Sequence, residues 1–297
     1  MNRPTRDTVA GRAYLDLRAL ARSAGRATDE YLRLYALEGF LARLAASERR
    51  DDLVLKGGAL LAAYQVRRPT ADVDLAGLAL PNDLENVRTL VTAIASAPPA
   101  LDDGLAFDTD NATVESIRDE DEYSGVRVSL TAHLATARLP FHVDVNVGDP
   151  IWPGPQPVSL PRLLGGEIKL LGYPISMVVA EKLVTASQRG IVNTRWRDFA
   201  DIYTLTRTHD FDSAQTHEAI QAVANHRHIE LRPLREQLTG YAQIGQARWQ
   251  AWRARQNLAD RLPEEFGEVI ERVLIFADGC YMTPTATTWS STNLTWT

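Results

Sequence analysis

Residues 53–76, LVLKGGALLAAYQVRRPTADVDLA, change character repeatedly within a short span, and those changes decide the fold. Leu53, Val54 and Leu55 form a short apolar β-run that Gly57-Gly58 breaks. Ala59 to Tyr64 has the composition of a small helix, which Arg67-Arg68-Pro69 ends. In Thr70-Ala71-Asp72-Val73-Asp74-Leu75 the aspartates are two apart, so in an extended strand both carboxylates project to one side while Val73 and Leu75 enter the core. Two acids on one face repel each other. A divalent cation between them removes the repulsion, and oxygen-only donors suit Mg²⁺. A D-x-D is also common as a solvated pair on the outer face of a strand. The upstream glycine pair sharpens the choice, because glycine lets a backbone approach a triphosphate closely and a following helix N-terminus offers N–H donors and a favourable dipole.

A third acid extends the pattern. In Leu139 to Val147, LPFHVDVNV, the residues Phe141, Val143, Val145 and Val147 share one strand face, and His142, Asp144 and Asn146 share the other. Asp144 on its own reads first as an ordinary solvated residue. Three strand acids from two neighbouring strands are what two-metal phosphoryl transfer needs, with two ions clamping the attacking and leaving oxygens. His142 shares the face of Asp144 and reads first as a structural, hydrogen-bonded histidine.

Further along, Glu181-Lys182-Leu183 falls on an expected helix whose Met177, Val178 and Val179 look buried. Asp198 and Asp201, in Arg197-Asp198-Phe199-Ala200-Asp201-Ile202, are three apart on another helix and share a face. Taken from the residues alone, Lys182 is a surface lysine paired with a neighbour and the acids pair with nearby arginines. With the glycine turn and D-x-D strand, however, the sequence resembles the nucleotidyltransferase superfamily with the polymerase-beta-like fold, and more narrowly the AbiEii and MenT group of toxin nucleotidyltransferases. The resemblance rests on Leu55-Lys56-Gly57-Gly58, Arg67/Arg68, Thr70 and Asp72-Val73-Asp74, then on Lys182 and the Arg197 to Asp201 helix, and covers roughly residues 50–205. Thr70 stands where the group's motif has Ser, so a hydroxyl is kept.

That resemblance implies an α+β fold: a polymerase-beta-like core of mixed sheet and helices, followed by a C-terminal helical half. It implies that Asp72, Asp74 and Asp144 hold Mg²⁺ or Mn²⁺, that Lys56, Gly57, Gly58 and Thr70 bind the nucleotide, and that Lys182 and Asp198 belong to the active site, with Asp201 acting there or anchoring its helix to Lys182 or Arg189. The implied reaction moves a nucleoside monophosphate from an NTP to an RNA acceptor, the 3′ end of tRNA, which blocks translation and growth, and a separately encoded antitoxin restrains the enzyme. Two other readings stay open: transfer to a small molecule such as an aminoglycoside, which demands a closed acidic pocket, and a non-catalytic binding module whose acids are only solvated.

With 297 residues, 45% apolar and 24% charged, the chain has an ordinary globular composition and can bury a sizeable core. No run approaches the ~20 apolar residues of a membrane span, and MNRPTRDTVA lacks the apolar segment of a signal peptide, so the expected location is the cytoplasm. One cysteine, Cys280, excludes an internal disulfide and reads as a packing residue. The histidines form no HExxH, and no nucleophile-elbow serine is present, which disfavours metalloprotease and acyl-transfer chemistry. A net charge of −6 argues against bulk attraction to nucleic acid. Acidity concentrates in Asp108 to Glu122, read as a solvated β-turn region. Arginines gather at Arg189, Arg195 and Arg197 and at Arg227, Arg232, Arg235, Arg248, Arg253 and Arg255, with Trp249 and Trp252 interleaved.

Residues 7–48 read as two packing helices joined near Ser23 to Thr28, with Thr28 or Asp29 capping the second. Pro81 to Ile94 reads as a helix, and Leu105–Phe107, Thr113–Ile117, Val126–Leu130 and Leu139–Val147 as short strands. The proline-rich Pro150 to Gly166 reads as an extended connector and sets the expected domains at 1–165 and 166–297. Helices are expected over 175–188, 195–207, 213–224, 231–238, 246–258 and 263–276. The tail from Thr283 is expected to fray unless Trp289 and Trp296 dock it.

Overall fold

The computed structural model describes residues 3–118, 124–284 and 287–297, and these divide into two compact units, Met1–Asp149 with Gln156–Tyr173, and Pro150–Pro155 with Pro174–Thr297. The expected acidic turn falls partly on residues 119–123, outside the described residues.

In the first unit, α1 (Val9–Ser23) starts where the Thr8 side chain accepts the Gly11 N–H, and it buries Ala13, Leu17 and Ala21. Helix α2 (Thr28–Ala46) buries Leu34, Leu37, Leu41 and Leu44. Neither Thr28 nor Asp29 caps it; the cap position is Ala27, which makes no side-chain bond, and Asp29 and Glu30 lie in the first turn, where they complement the helix dipole. Strand β1 (Leu53–Lys56) is fully buried and runs into α3 (Gly57–Leu60), a single turn. The rest of the expected helix continues as i→i+3 turns, with Ala63 and Tyr64 donating to Leu60 and Leu61, and stops at Gln65, whose φ is +60°. Then come β2 (Asp72–Gly77), α4 (Leu84–Ser96), β3 (Leu105–Arg118), β4 (Ser124–Leu134), β5 (Ala137–Val147), β6 (Gln156–Pro161) and β7 (Glu167–Gly172).

The seven strands form one mixed sheet in the order β3-β4-β5-β2-β1-β7-β6. Strand β2 runs antiparallel to β1 and parallel to β5. The two short strands expected between Leu105 and Ile117 are one long strand with a register irregularity between Asp108 and Thr113. Part of the expected connector, Gln156–Pro161, is the outermost strand. Pro157 and Pro161 are tolerated there because an edge strand has one side with no ladder to complete. Val73, Leu75, Val143 and Val145 are wholly buried along with Leu37, Phe40 and Leu41 of α2, which places the apolar face of the central strands in the core and leaves the acids on the opposite face.

The second unit is helical: α5 (Ile175–Arg189), α6 (Trp196–Thr206), α7 (Ser213–His226), α8 (Leu234–Gln237), α9 (Tyr241–Arg255) and α10 (Phe266–Asp278), with a small sheet of β8 (Phe211–Asp212), β9 (Thr288–Ser290) and β10 (Thr295–Trp296). Helix α9 begins five residues before the expected Gln246, because Gly240 takes the left-handed conformation that starts a new turn. An aromatic cluster of Trp196, Phe199, Tyr241, Trp249 and Phe266 forms its core. Cys280 is buried. Among the described residues no helix is long and apolar enough to cross a membrane.

Candidate active site

Strand register builds the first cluster. Lys56 of β1 faces Asp74 of β2, Asp74 faces Asp144 of β5, and Asp144 faces Arg127 of β4. One rung across four strands therefore carries a cation, two acids and a second cation on adjacent backbones, at the spacing where cross-strand side chains interact. Asp72, one pleat along β2, faces His142, so the three expected acids do share a face.

The cations at the two ends of the rung are held differently. Arg127 grips Asp144 bidentately, Nε to Oδ1 at 2.8 Å and Nη2 to Oδ2 at 2.7 Å. Lys56 reaches Asp149 Oδ2 at 2.7 Å, an acid just beyond the end of β5. Neither Asp72 nor Asp74 is ion-paired among the described residues. Burial pushes the Asp74 carboxyl pKa up, the Asp144 charge pushes it further, and Lys56 opposes both; Asp72 adds to the rise and the Gly58 N–H opposes it.

The glycine pair is packed against these acids. Gly57 has φ +62°, and a Cβ there would lie 2.0 Å from Asp74 Oδ2, so both backbone conformation and space require glycine. The Gly58 N–H donates to Asp74 Oδ2 at 3.3 Å, and a Cβ at Gly58 would stand 2.8 Å from Thr70 Oγ1. The close approach these glycines make is thus to the carboxylate and to Thr70. A helix of one turn carries little of the dipole expected to favour phosphate. Thr70 turns its hydroxyl back to the Asp72 carbonyl at 3.3 Å. His142 Nδ1 shares a hydrogen bond of 2.9 Å with Ser129 Oγ, as a structural histidine does.

The second cluster belongs to the helical unit. Lys182 Nζ on α5 donates to Asp198 Oδ1 at 2.6 Å and to Asp201 Oδ2 at 2.8 Å, both on α6. The side chains are 13%, 17% and 4% exposed respectively, so this is a nearly buried triad that fixes the ammonium. Asp201, the most buried, anchors the helix to Lys182. Upstream of α6, Asn193 accepts the Arg195 N–H through Oδ1 at 2.7 Å and the Tyr241 hydroxyl through its carbonyl at 2.8 Å, which sets where the helix begins.

Arg127 and Asp149 are the members of these clusters that reading the sequence does not single out. Arg127 carries a signal, since it alternates with buried Val126 and Val128 and so falls on the polar face. Asp149 carries none, because it follows Gly148 after the strand has ended.

A search of the curated proteins finds no match. Among solved structures, one from H. pylori described as a provisional nucleotidyltransferase is similar, with a TM-score of 0.48 and 13% identity over 84% of this chain and 96% of that one. JHP933 from Helicobacter pylori is similar at a TM-score of 0.32 and 10% identity, over 76% of this chain and 95% of that one. The family model described as the nucleotidyl transferase AbiEii toxin of type IV toxin–antitoxin systems matches residues 39–272. That span takes in β1, the glycine turn, the D-x-D strand, the Asp144 strand and the Lys182 triad, and so the chain belongs to the AbiEii toxin family and is a nucleotidyltransferase.

Proposed function

We propose that this toxin transfers a nucleoside monophosphate from an NTP to the 3′ end of tRNA in the cytoplasm and thereby blocks translation. Family membership implies a nucleotide substrate and a separate antitoxin; the RNA acceptor follows from the resemblance of the motifs to the toxin group. The observation that carries the reading is the rung of Lys56, Asp74, Asp144 and Arg127, with Asp72 beside it. The two compact units would act as the functional domains, one bearing the acids and the other the Lys182 triad.

Asp72 and Asp74 suit a hard divalent cation: they supply oxygen donors, they are not ion-paired among the described residues, and burial, with the Asp144 and Asp72 charges adding to it, has raised the Asp74 pKa. No group of three or more acids, histidines or cysteines stands in metal-holding geometry among the described residues, and Arg127 occupies both oxygens of Asp144. Asp144 would join as the third donor once Arg127 yields one of them. When bound, Mg²⁺ or Mn²⁺ neutralises phosphate charge and lowers the pKa of the acceptor hydroxyl.

In the reaction the acceptor 3′-oxygen attacks the α-phosphorus, the bond to the bridging oxygen breaks, and pyrophosphate leaves. Asp144 accepts the hydroxyl proton. The motif resemblance gives Lys182 the role of stabilising phosphate charge, and within the helical unit Asp198 and Asp201 hold its ammonium in position. Gly57 shapes the turn that lets Asp74 sit against the backbone, while Gly58, Thr70 and Lys56 line the nucleotide's phosphates. Incubating the purified protein with each α-labelled NTP and total tRNA tests this. We expect one NTP to label tRNA, the label to vanish with EDTA, and Asp74→Ala to lose transfer by several orders of magnitude while staying folded. A folded wild type that labels no RNA with any NTP, or labels only a small molecule, would overturn the acceptor.

A further inference from the structure

We propose that the arginine-lined groove beside α1 is a docking surface for the phosphate backbone of RNA. This rests on the RNA-acceptor reading above. Residues 3–26 contain six arginines against two aspartates, with no Lys or Glu, in a chain whose net charge is −6. Four of these arginines, Arg6, Arg18, Arg22 and Arg26, line an open groove of about 680 Å³. Helix α1 buries Ala13, Leu17 and Ala21, so its arginine face is turned away from the core.

Arg18 and Arg22 stand one helical turn apart and are exposed, and their guanidinium groups have no hydrogen-bond or ion-pair partner among the described residues. Like charges at this spacing weaken a helix slightly, so the pair is not explained by helix stability. Arg6 and Arg26 are oriented by carboxylates, Arg6 by Asp16 at 2.6 Å and Arg26 by Glu30 at 2.8 Å. Each guanidinium carries five N–H donors, more than its carboxylate uses. The remaining lining residues are small or aliphatic, Leu15, Ala19 and Thr28. With no aromatic ring to stack a base and no apolar anchor of the kind that centres a protein interface, the groove suits phosphates.

The arginines of the C-terminal third are largely committed elsewhere. Arg235 binds Glu271 and Asp278, Arg253 binds the Leu262 and Ala259 carbonyls, and Arg227 binds Thr185. Helix α1 also lies outside residues 39–272, so family membership says nothing about this groove.

The test is the Arg18→Glu/Arg22→Glu double variant in the full chain, with total tRNA binding followed by fluorescence anisotropy across a salt series. We expect Kd to rise at least ~10-fold at low salt and the log–log salt slope to shrink by about 1.4–1.8, two phosphate contacts at roughly 0.7–0.9 each. NTP binding and turnover at saturating tRNA should hold, the apparent KM for tRNA should rise, and Arg18→Lys/Arg22→Lys should keep most of the slope. Unchanged Kd and slope in the Glu variant, with wild type binding tRNA, overturns the groove alone. Intact tRNA binding with lost neutralisation by the antitoxin reassigns the surface to a protein and overturns it too. A wild type that binds no tRNA brings down both the groove and the acceptor reading.

Discussion

Asp74 has Lys56 on one neighbouring strand and Asp144 on the other, and its protonation is decided by that competition and by burial. Its folded pKa is raised above that of the unfolded chain. Folding therefore favours the protonated form: the resulting stability is fully present below the ordinary carboxylate range, around pH 4, and is lost as pH rises through the folded pKa. In metal-free buffer Asp74→Asn should be more stable than wild type at pH 7–8, and the gap should close as pH falls toward 4. Urea midpoints across that range check this, and a gap independent of pH would refute the account. The same residue shows what is legible at this scale. Alternation puts Asp72, Asp74 and Asp144 on outward faces without any structure, because the strand period is two. Pairing partners are a matter of register between strands far apart in sequence, so Arg127 on Asp144 and Asp149 on Lys56 emerge only when the sheet is assembled.

Elements were legible where their periodicity was long and their ends were marked. Helices α5, α6, α7 and α10 lie close to their expected spans, each with an apolar face at 3.6-residue spacing. Strand β6 and the small sheet were not legible. The first is rich in proline and survives only because it is an edge; the second has strands of two or three residues, too short to show a period. The C-terminal tail, expected to fray unless its tryptophans docked, is held by them. Trp289 is fully buried, donates Nε1–H to the Thr206 carbonyl at 2.6 Å, and packs edge-on against Phe276 at 5.2 Å between centroids. Trp289→Ala should destabilise by about 3–5 kcal/mol, read by urea unfolding. A loss below roughly 1 kcal/mol would mean that the tail adds nothing to the helices.

For the whole molecule, the acidic net charge hides an uneven distribution, and exposure together with partner geometry decides which arginines are available. Arg253, on the same helix as Arg248, spends its donors on the carbonyls of Leu262 and Ala259, closing the loop between α9 and α10. Arg248 is exposed. We expect Arg253→Glu to cost about 1–3 kcal/mol, since the part-buried Leu262 carbonyl and the exposed Ala259 carbonyl lose their donor and a carboxylate faces them instead, while Arg248→Glu stays within about 0.5 kcal/mol. Equal effects in thermal melts would show that the loop contacts carry no stability. The tryptophans interleaved with these arginines belong to the core: Trp249 is fully buried and stacks on Phe266 at 4.9 Å.

The sequence by itself determined the D-x-D strand, the third acid, the two acids sharing a face of the Arg197–Asp201 helix and the order of sheet-forming and helical halves, because each depends on local period and spacing. The tertiary structure decided what those residues touch. The Gly57-Gly58 turn packs against Asp74, Arg127 neutralises Asp144, Lys182 is shared by Asp198 and Asp201, and α1 presents its arginines in one groove. The first three join residues 16 to 19 apart in sequence, on different elements, at hydrogen-bond distance, and no pattern within a single strand or helix encodes which partner will be there.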